Sequence, residues 1–174
     1  MEKSFIKIIN QDIINHGGNT FMNKVFVMLL NHNFRLLFNH RLRFILKNSP
    51  FRFINLYLRR RQNIKYGSDI SVNAEFGENV KFAHAFGILI GSAIIENNVI
   101  IFQQVTIGSH GIIGVEKAWP TIKEGTIIYA GAKVLGDIVV GRNCTIGANS
   151  VINRDLPENA IVVSPSAKII GYNL

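Results

Sequence analysis

At 174 residues the chain is long enough for one compact domain with a small appendage and too short for two full ones. Its 48% hydrophobic and 17% charged content excludes a disordered or fibrous polymer. The formal net charge of +8 is unevenly placed: residues 1–66 hold twelve basic and two acidic side chains, whereas 67–174 hold seven and nine.

The single cysteine, Cys144, excludes an internal disulfide framework and suits a reducing compartment. An early acid after Met1 and the lack of an unbroken apolar run predict no cleavable signal peptide. Val25 to Leu30 is far too short to span a bilayer. A cytoplasmic protein is expected.

In chain order, a first helix is expected over Met22 to Leu30, after Gly17-Gly18. Phe34, Leu37, Phe38, Leu42 and Ile45 recur at spacings of three and four, one face of a second helix. Phe51, Ile54 and Leu58 predict a shorter helix, entered after Pro50 and running into Arg59-Arg60-Arg61. The basic residues have two readings. They form a solvated helical face, or they draw the region to anionic lipid head groups or an acidic polysaccharide, at about 1 kcal/mol per cation. No groove-reading motif accompanies them, so nucleic acid is not an expected partner.

The second half repeats with a period of six. Ile122, Ile128, Val134, Val140, Ile146 and Ile152 carry the pattern. Upstream it runs through Ile70, Phe76, Phe82 and Ile88, slips by one, and resumes at Ile95, Ile101 and Ile107. Glycine follows the aliphatic at 77, 108, 141 and 147, and small or β-branched residues such as Ala74, Val105 and Ala132 stand four places on. On a helix six residues advance the side chain by about 600°, so repeats would scatter around the axis. On extended chain six is a multiple of two, and every repeat faces the same way. Short strands joined by corners of small residues describe a parallel β-helix around an aliphatic column. The alternative is a helical core with chance periodicity. The rhythm breaks between Ile107 and Ile122, where residues 109–121 form an extruded loop of the kind that lies beside solenoid binding sites.

The segments Ile90-Gly91 through Gly108 and Ile122 through Gly171 resemble the hexapeptide-repeat acyltransferases, whose β-helix is left-handed. Within them the chain resembles the serine acetyltransferase branch and the related capsule, colanic-acid and O-antigen O-acetyltransferases, strongly over residues 67–174 and weakly over 1–66. The resemblance implies a basic helical region at 1–66, a left-handed β-helix acyltransferase domain at 67–174, and acetyl-CoA as co-substrate without a metal. It also implies a homotrimer with active sites between subunits. No metal-ligand spacing, Walker loop or dinucleotide glycine pattern appears.

Acyl transfer to an alcohol needs a base, donors for the oxyanion and a cradle for the carrier. By resemblance His84, in Phe82-Ala83-His84-Ala85-Phe86-Gly87, is the base, and Asp69, fifteen residues earlier, orients its imidazole. Without the resemblance, His84 also reads as a packed polar residue. The backbone N–H of Ser109 corresponds to the oxyanion donor. Ala130 and Ala148 correspond to the small residues that clamp coenzyme A, and Arg154 and Lys168 to the cations near its phosphates. Where the serine enzymes hold the amino acid with an Asp before the catalytic His and an Arg-His pair before the loop's Pro, this chain has Ala83, Ala118 and Trp119. Charged hydrogen bonds of that kind are worth about 1.5–3 kcal/mol each. A sugar hydroxyl stacked on Trp119 is therefore the expected acceptor, within a surface polysaccharide or its precursor. His110 either replaces the missing second His or is an exposed loop residue. Cys144 is expected to point inward. The competing readings are serine acetyltransferase proper and a non-catalytic trimeric scaffold, attached to the membrane through its basic front.

Overall fold

The computed structural model describes residues 2–111 and 118–165. Four helices come first: α1 (Glu2–Asn15), α2 (Phe21–Leu30), α3 (His32–Ile45) and α4 (Arg52–Tyr66), with a 3₁₀ turn at Leu46–Asn48. Their ends are set locally. The Asn31 side chain caps α3 by accepting from Phe34 N at 3.0 Å, and Gly67 stops α4 in the left-handed region at φ 56°. No helix among the described residues is long and apolar enough to cross a membrane.

From Asp69 the chain winds in coils of three short strands. β1 (Asp69–Ile70), β2 (Glu75–Phe76) and β3 (Lys81–Phe82) form the first coil. β4 (Leu89–Ile90), β5 (Ile94–Ile95) and β6 (Ile100–Ile101) form the second. β7 (Thr106–Gly108), β8 (Thr121–Ile122) and β9 (Ile127–Ile128) are the third, β10 (Lys133–Leu135), β11 (Val139–Val140) and β12 (Thr145–Ile146) the fourth. β13 (Val151–Ile152) and β14 (Ile161–Val162) begin a fifth. Strands of successive coils pair in parallel, giving sheet A (β1-β4-β7-β10-β13), sheet B (β2-β5-β8-β11) and sheet C (β3-β6-β9-β12-β14). This is a left-handed parallel β-helix. Parallel crossovers are almost always right-handed when a helix must pack back on the sheet; here corners of a few residues replace that helix, and the constraint is absent.

The period of six is the inward column. Ile70, Ile90, Ile107, Val134 and Ile152 stack inside sheet A, Ile95, Ile122 and Val140 inside B, and Phe82, Ile101, Ile128 and Ile146 inside C. Cys144 is buried among them, as expected. The sequence rhythm misplaces one member. Ile88 is buried in a corner, and Ile90 takes the column position beside Ile70. The corner from β3 to β4 spans residues 83–88, two more than the four-residue corners 102–105, 129–132 and 147–150 that follow it on the same edge.

The helices close the first-coil end. Leu36, Leu37 and Tyr66 join the same core as the strand columns. The buried face of α3 is Phe34, Leu36, Leu37, His40, Arg41 and Arg43, whereas Phe38 and Ile45, expected on that face, lie toward solvent. Arg41 is the main tie. Its Nε pairs with buried Asp12 at 2.9 Å, and its two Nη atoms donate to the carbonyls of Phe76 and Gly77 at 2.9 and 2.7 Å.

Candidate active site

His84 sits in the enlarged corner between sheets C and A, exposed, its ring meeting Phe102 edge-on at 6.2 Å. Phe102 in turn stacks on Tyr129 at 4.9 Å. The backbone on both sides of His84 is held by one side chain. Asn33 of α3 donates Nδ2 to the Ala83 carbonyl at 2.8 Å and accepts from Ala85 N at 3.0 Å through Oδ1. A second anchor is aromatic: the His32 and Tyr66 rings both lie beside Phe86, at 6.5 and 6.2 Å. The strand register places His84, Gln103, Ala130 and Ala148 in one column along this C–A corner, two residues beyond the paired Phe82, Ile101, Ile128 and Ile146. The expected base and the two small carrier positions therefore share an edge.

Asp69 starts β1 on the outer face of sheet A. Its carboxylate accepts from Arg59 of α4, Nη2 at 2.7 Å and Nε at 3.2 Å, a bidentate surface pair. No hydrogen bond joins Asp69 to His84; Asn33 holds the backbone on either side of His84, and the ring itself meets Phe102. The remaining expected residues lie across sheet A. Ser109 and His110 follow β7, Arg154 follows β13, and Trp119 precedes β8, all at the corner between sheets A and B. Trp119 lays its six-membered ring on Gly91, in the space that a Cβ there would fill. Lys168 lies outside the described residues. One chain thus divides the expected set between two edges of the prism.

The outer face of sheet A between those edges is not bare. A cavity of ≈ 670 Å3 lies between it and the helices. Leu89, Ile90, Thr106 and Ile107 are among its sheet-side residues, and Arg43, Lys47, Asn55 and Arg59 line the helical side. Among the described residues Asp69 is the only carboxylate in the lining. Arg43 is not set apart by charge from the other basic residues of the helical region. Its signal was position, since the three-to-four spacing Leu36, His40, Arg43 runs along the buried stripe of α3. Desolvation by burial, and then the nearby Arg59 charge, lower its pKa from the ordinary arginine value. Among the described residues no group of His, Cys, Asp and Glu could hold a metal ion.

Residues 120–154 match the bacterial transferase hexapeptide family, described as six repeats. The serine acetyltransferase of Buchnera aphidicola (subsp. Acyrthosiphon pisum) is 39% identical over 125 residues, 71% of this chain and 46% of the relative. That of Escherichia coli K12 is 38% identical over 125 residues, 71% of this chain and 45% of the relative. Among solved structures, a serine acetyltransferase in complex with CoA superposes with TM-score 0.78 at 33% identity, covering 97% of this chain and 70% of the other. The chain belongs to the hexapeptide-repeat acyltransferases of the serine acetyltransferase type. It spans just under half the length of the curated relatives it matches. These matches overturn the expectation of a sugar hydroxyl on a surface polysaccharide as acceptor, since the relatives they name are serine acetyltransferases.

Proposed function

We propose that the protein transfers an acetyl group from acetyl-CoA to the hydroxyl of L-serine. The observation that carries this reading is the match of almost the whole chain, helices included, to serine acetyltransferases in complex with CoA and with cysteine at 32% identity and TM-score 0.80. Exposed His84 removes the hydroxyl proton as the oxygen attacks the thioester carbonyl. The tetrahedral oxyanion is met by a main-chain N–H at Ser109, and collapse expels the CoA thiolate, which recovers the proton from the imidazolium. Asp69 is assigned by family resemblance as the carboxylate that orients the ring, a role that requires its release from Arg59. Ala130 and Ala148 stand in the His84 column where a pantetheine arm would lie against backbone. The division of the set between two edges supports a homotrimer in which the C–A edge of one chain faces the A–B edge of the next.

The test is release of free thiol from acetyl-CoA with L-serine. His84→Ala should lower kcat by about two to four orders of magnitude while the protein stays folded, because the side chain is solvent-facing. Unchanged turnover in that variant would remove His84 as base, and no turnover of L-serine by the unaltered protein would remove the acceptor. With Ala83 and Ala118 in place of charged contacts, L-serine keeps neither of the partners that the family resemblance assigns to its charges.

A further inference from the structure

We propose that the cavity over sheet A is an anion subsite in which Arg43, with Lys47 at its mouth, receives the carboxylate of the amino acid acceptor. This inference rests on the serine reading and supplies the carboxylate partner that Ala118 cannot. Arg43 is 2% exposed, yet no carboxylate lies within ion-pair distance of it among the described residues. Its partners are all neutral: Nε donates to Asn55 Oδ1 at 3.1 Å, and Nη1 to Gln62 Oε1 and the Ile70 carbonyl at 3.1 and 3.0 Å. Those three bonds fix the guanidinium plane and leave Nη2 without a hydrogen-bond partner among the described residues, in a side chain that lines the cavity.

A buried cation with neutral supports and one unused donor is short of a negative charge. Among the described residues the surroundings supply only the charge of Asp69, beyond ion-pair distance. That carboxylate is engaged by both nitrogens of Arg59 that face it. Lys47 adds a second charge, its Nζ held 4.1 Å above the Phe44 ring. Among the described residues the lining therefore carries two cations in excess of its acid. A guanidinium held in its plane by three bonds suits an oxyanion such as a carboxylate or a phosphate better than a halide. The sheet side of the cavity includes Gly91 and Gly108, at the corner where Ser109 and Trp119 stand, and Leu89, which follows the His84 corner. An acceptor anchored there by its carboxylate lies on the outer face of sheet A, beside Asp69.

Steady-state kinetics with L-serine and with L-serine amide, which keeps the ammonium and loses the carboxylate, separate this subsite from general damage. Lys47→Gln, an exposed change, and Arg43→Lys should raise the KM for L-serine about ten- to hundredfold. The KM for acetyl-CoA and kcat/KM for the amide should stay near their unaltered values. Folding is checked by circular dichroism, and Lys47→Gln keeps the test open if Arg43→Lys unfolds. Variants that keep the KM for L-serine overturn the subsite. If the unaltered protein turns over neither serine nor its amide, the serine reading fails, and calorimetry with inorganic phosphate decides the subsite alone. Phosphate binding lost in both variants upholds an oxyanion site for another ligand, and absence of phosphate binding overturns it.

Discussion

Asn33 shows how a residue remote from the chemistry can set its geometry. Its amide spans the peptide groups on either side of His84, so the corner that presents the imidazole is pinned to α3. Removing it frees one carbonyl and one N–H and lets the corner drift. Asn33→Ala should lower kcat roughly ten- to hundredfold with the KM for acetyl-CoA little changed. A fall in melting temperature with normal kcat below the transition would mark the contact as structural only. The sequence made His84 legible because its neighbours Phe82 to Gly87 match a family segment. Asn33 carried no such mark: its partners are fifty and fifty-two residues away, and no local spacing announces a contact that only the fold creates. Arg43 was hidden for the same reason, since a charge count cannot separate a solvated cation from one enclosed by Asn55, Gln62 and Ile70.

At the scale of the strand and its corner, the period of six was readable because each inward aliphatic serves one column. The corners were less so. Gly77, Gly108, Gly141 and Gly147 read as bends, yet none has positive φ. Among the described residues the positive-φ corner positions of the coils belong to Asn79, Asn98, Gln104, Asn143, Asn149 and Asn159, together with Gly87, Gly125, Gly131 and Gly136. Asparagine tolerates that conformation through its short polar side chain, and some of these also bond along the edge, as Asn79 Nδ2 does to Asn98 Oδ1 at 2.6 Å. Gly141 is instead a close approach: a Cβ there would stand 2.6 Å from Glu158 N and 2.7 Å from the Pro157 carbonyl carbon. Gly141→Ala should destabilise by about 1–3 kcal/mol in urea unfolding, with rigid backbone on the other side of the clash. Asn143→Gly should cost under about 1 kcal/mol, because its φ of 53° suits glycine. Equal effects of the two would refute this division of labour.

Taken whole, the molecule is a prism closed at one end by helices, with a buried histidine at the closure. His40 of α3 lies between the two parts, Nε2 3.1 Å from the Ser71 carbonyl and its ring 4.3 Å from that of Phe76. Burial, opposed by the hydrogen bond to Ser71 and reinforced by the charges of Arg43 and Arg41, lowers its pKa to about 3. Unfolded, the same ring takes a proton near the ordinary value of 6.5. The unfolded state thus binds more protons between those limits, so the contribution is complete above pH 6.5 and is lost as pH falls toward 3. Urea unfolding should show a loss of about 2 kcal/mol between pH 7 and pH 5, a window above most carboxylate titration. His40→Asn should flatten that slope, and an unflattened slope would place the acid sensitivity elsewhere. None of this was legible in advance, because the spacing that marks a helical face predicts apolar residues, and the docked face of α3 holds a histidine and two arginines.

The regular pairing of Lys133 with Val151, eighteen residues on, has one more consequence. Each coil meets only the coils above and below, so length along the axis is independent of what happens at the helical lid. Splicing in one further eighteen-residue winding past β12 would extend the prism by about 4.8 Å and leave the lid, the Asn33 clasp and the basic chamber where they are. Such a scaffold behaves as a ruler graduated in single windings, with its working end fixed and its reach adjustable.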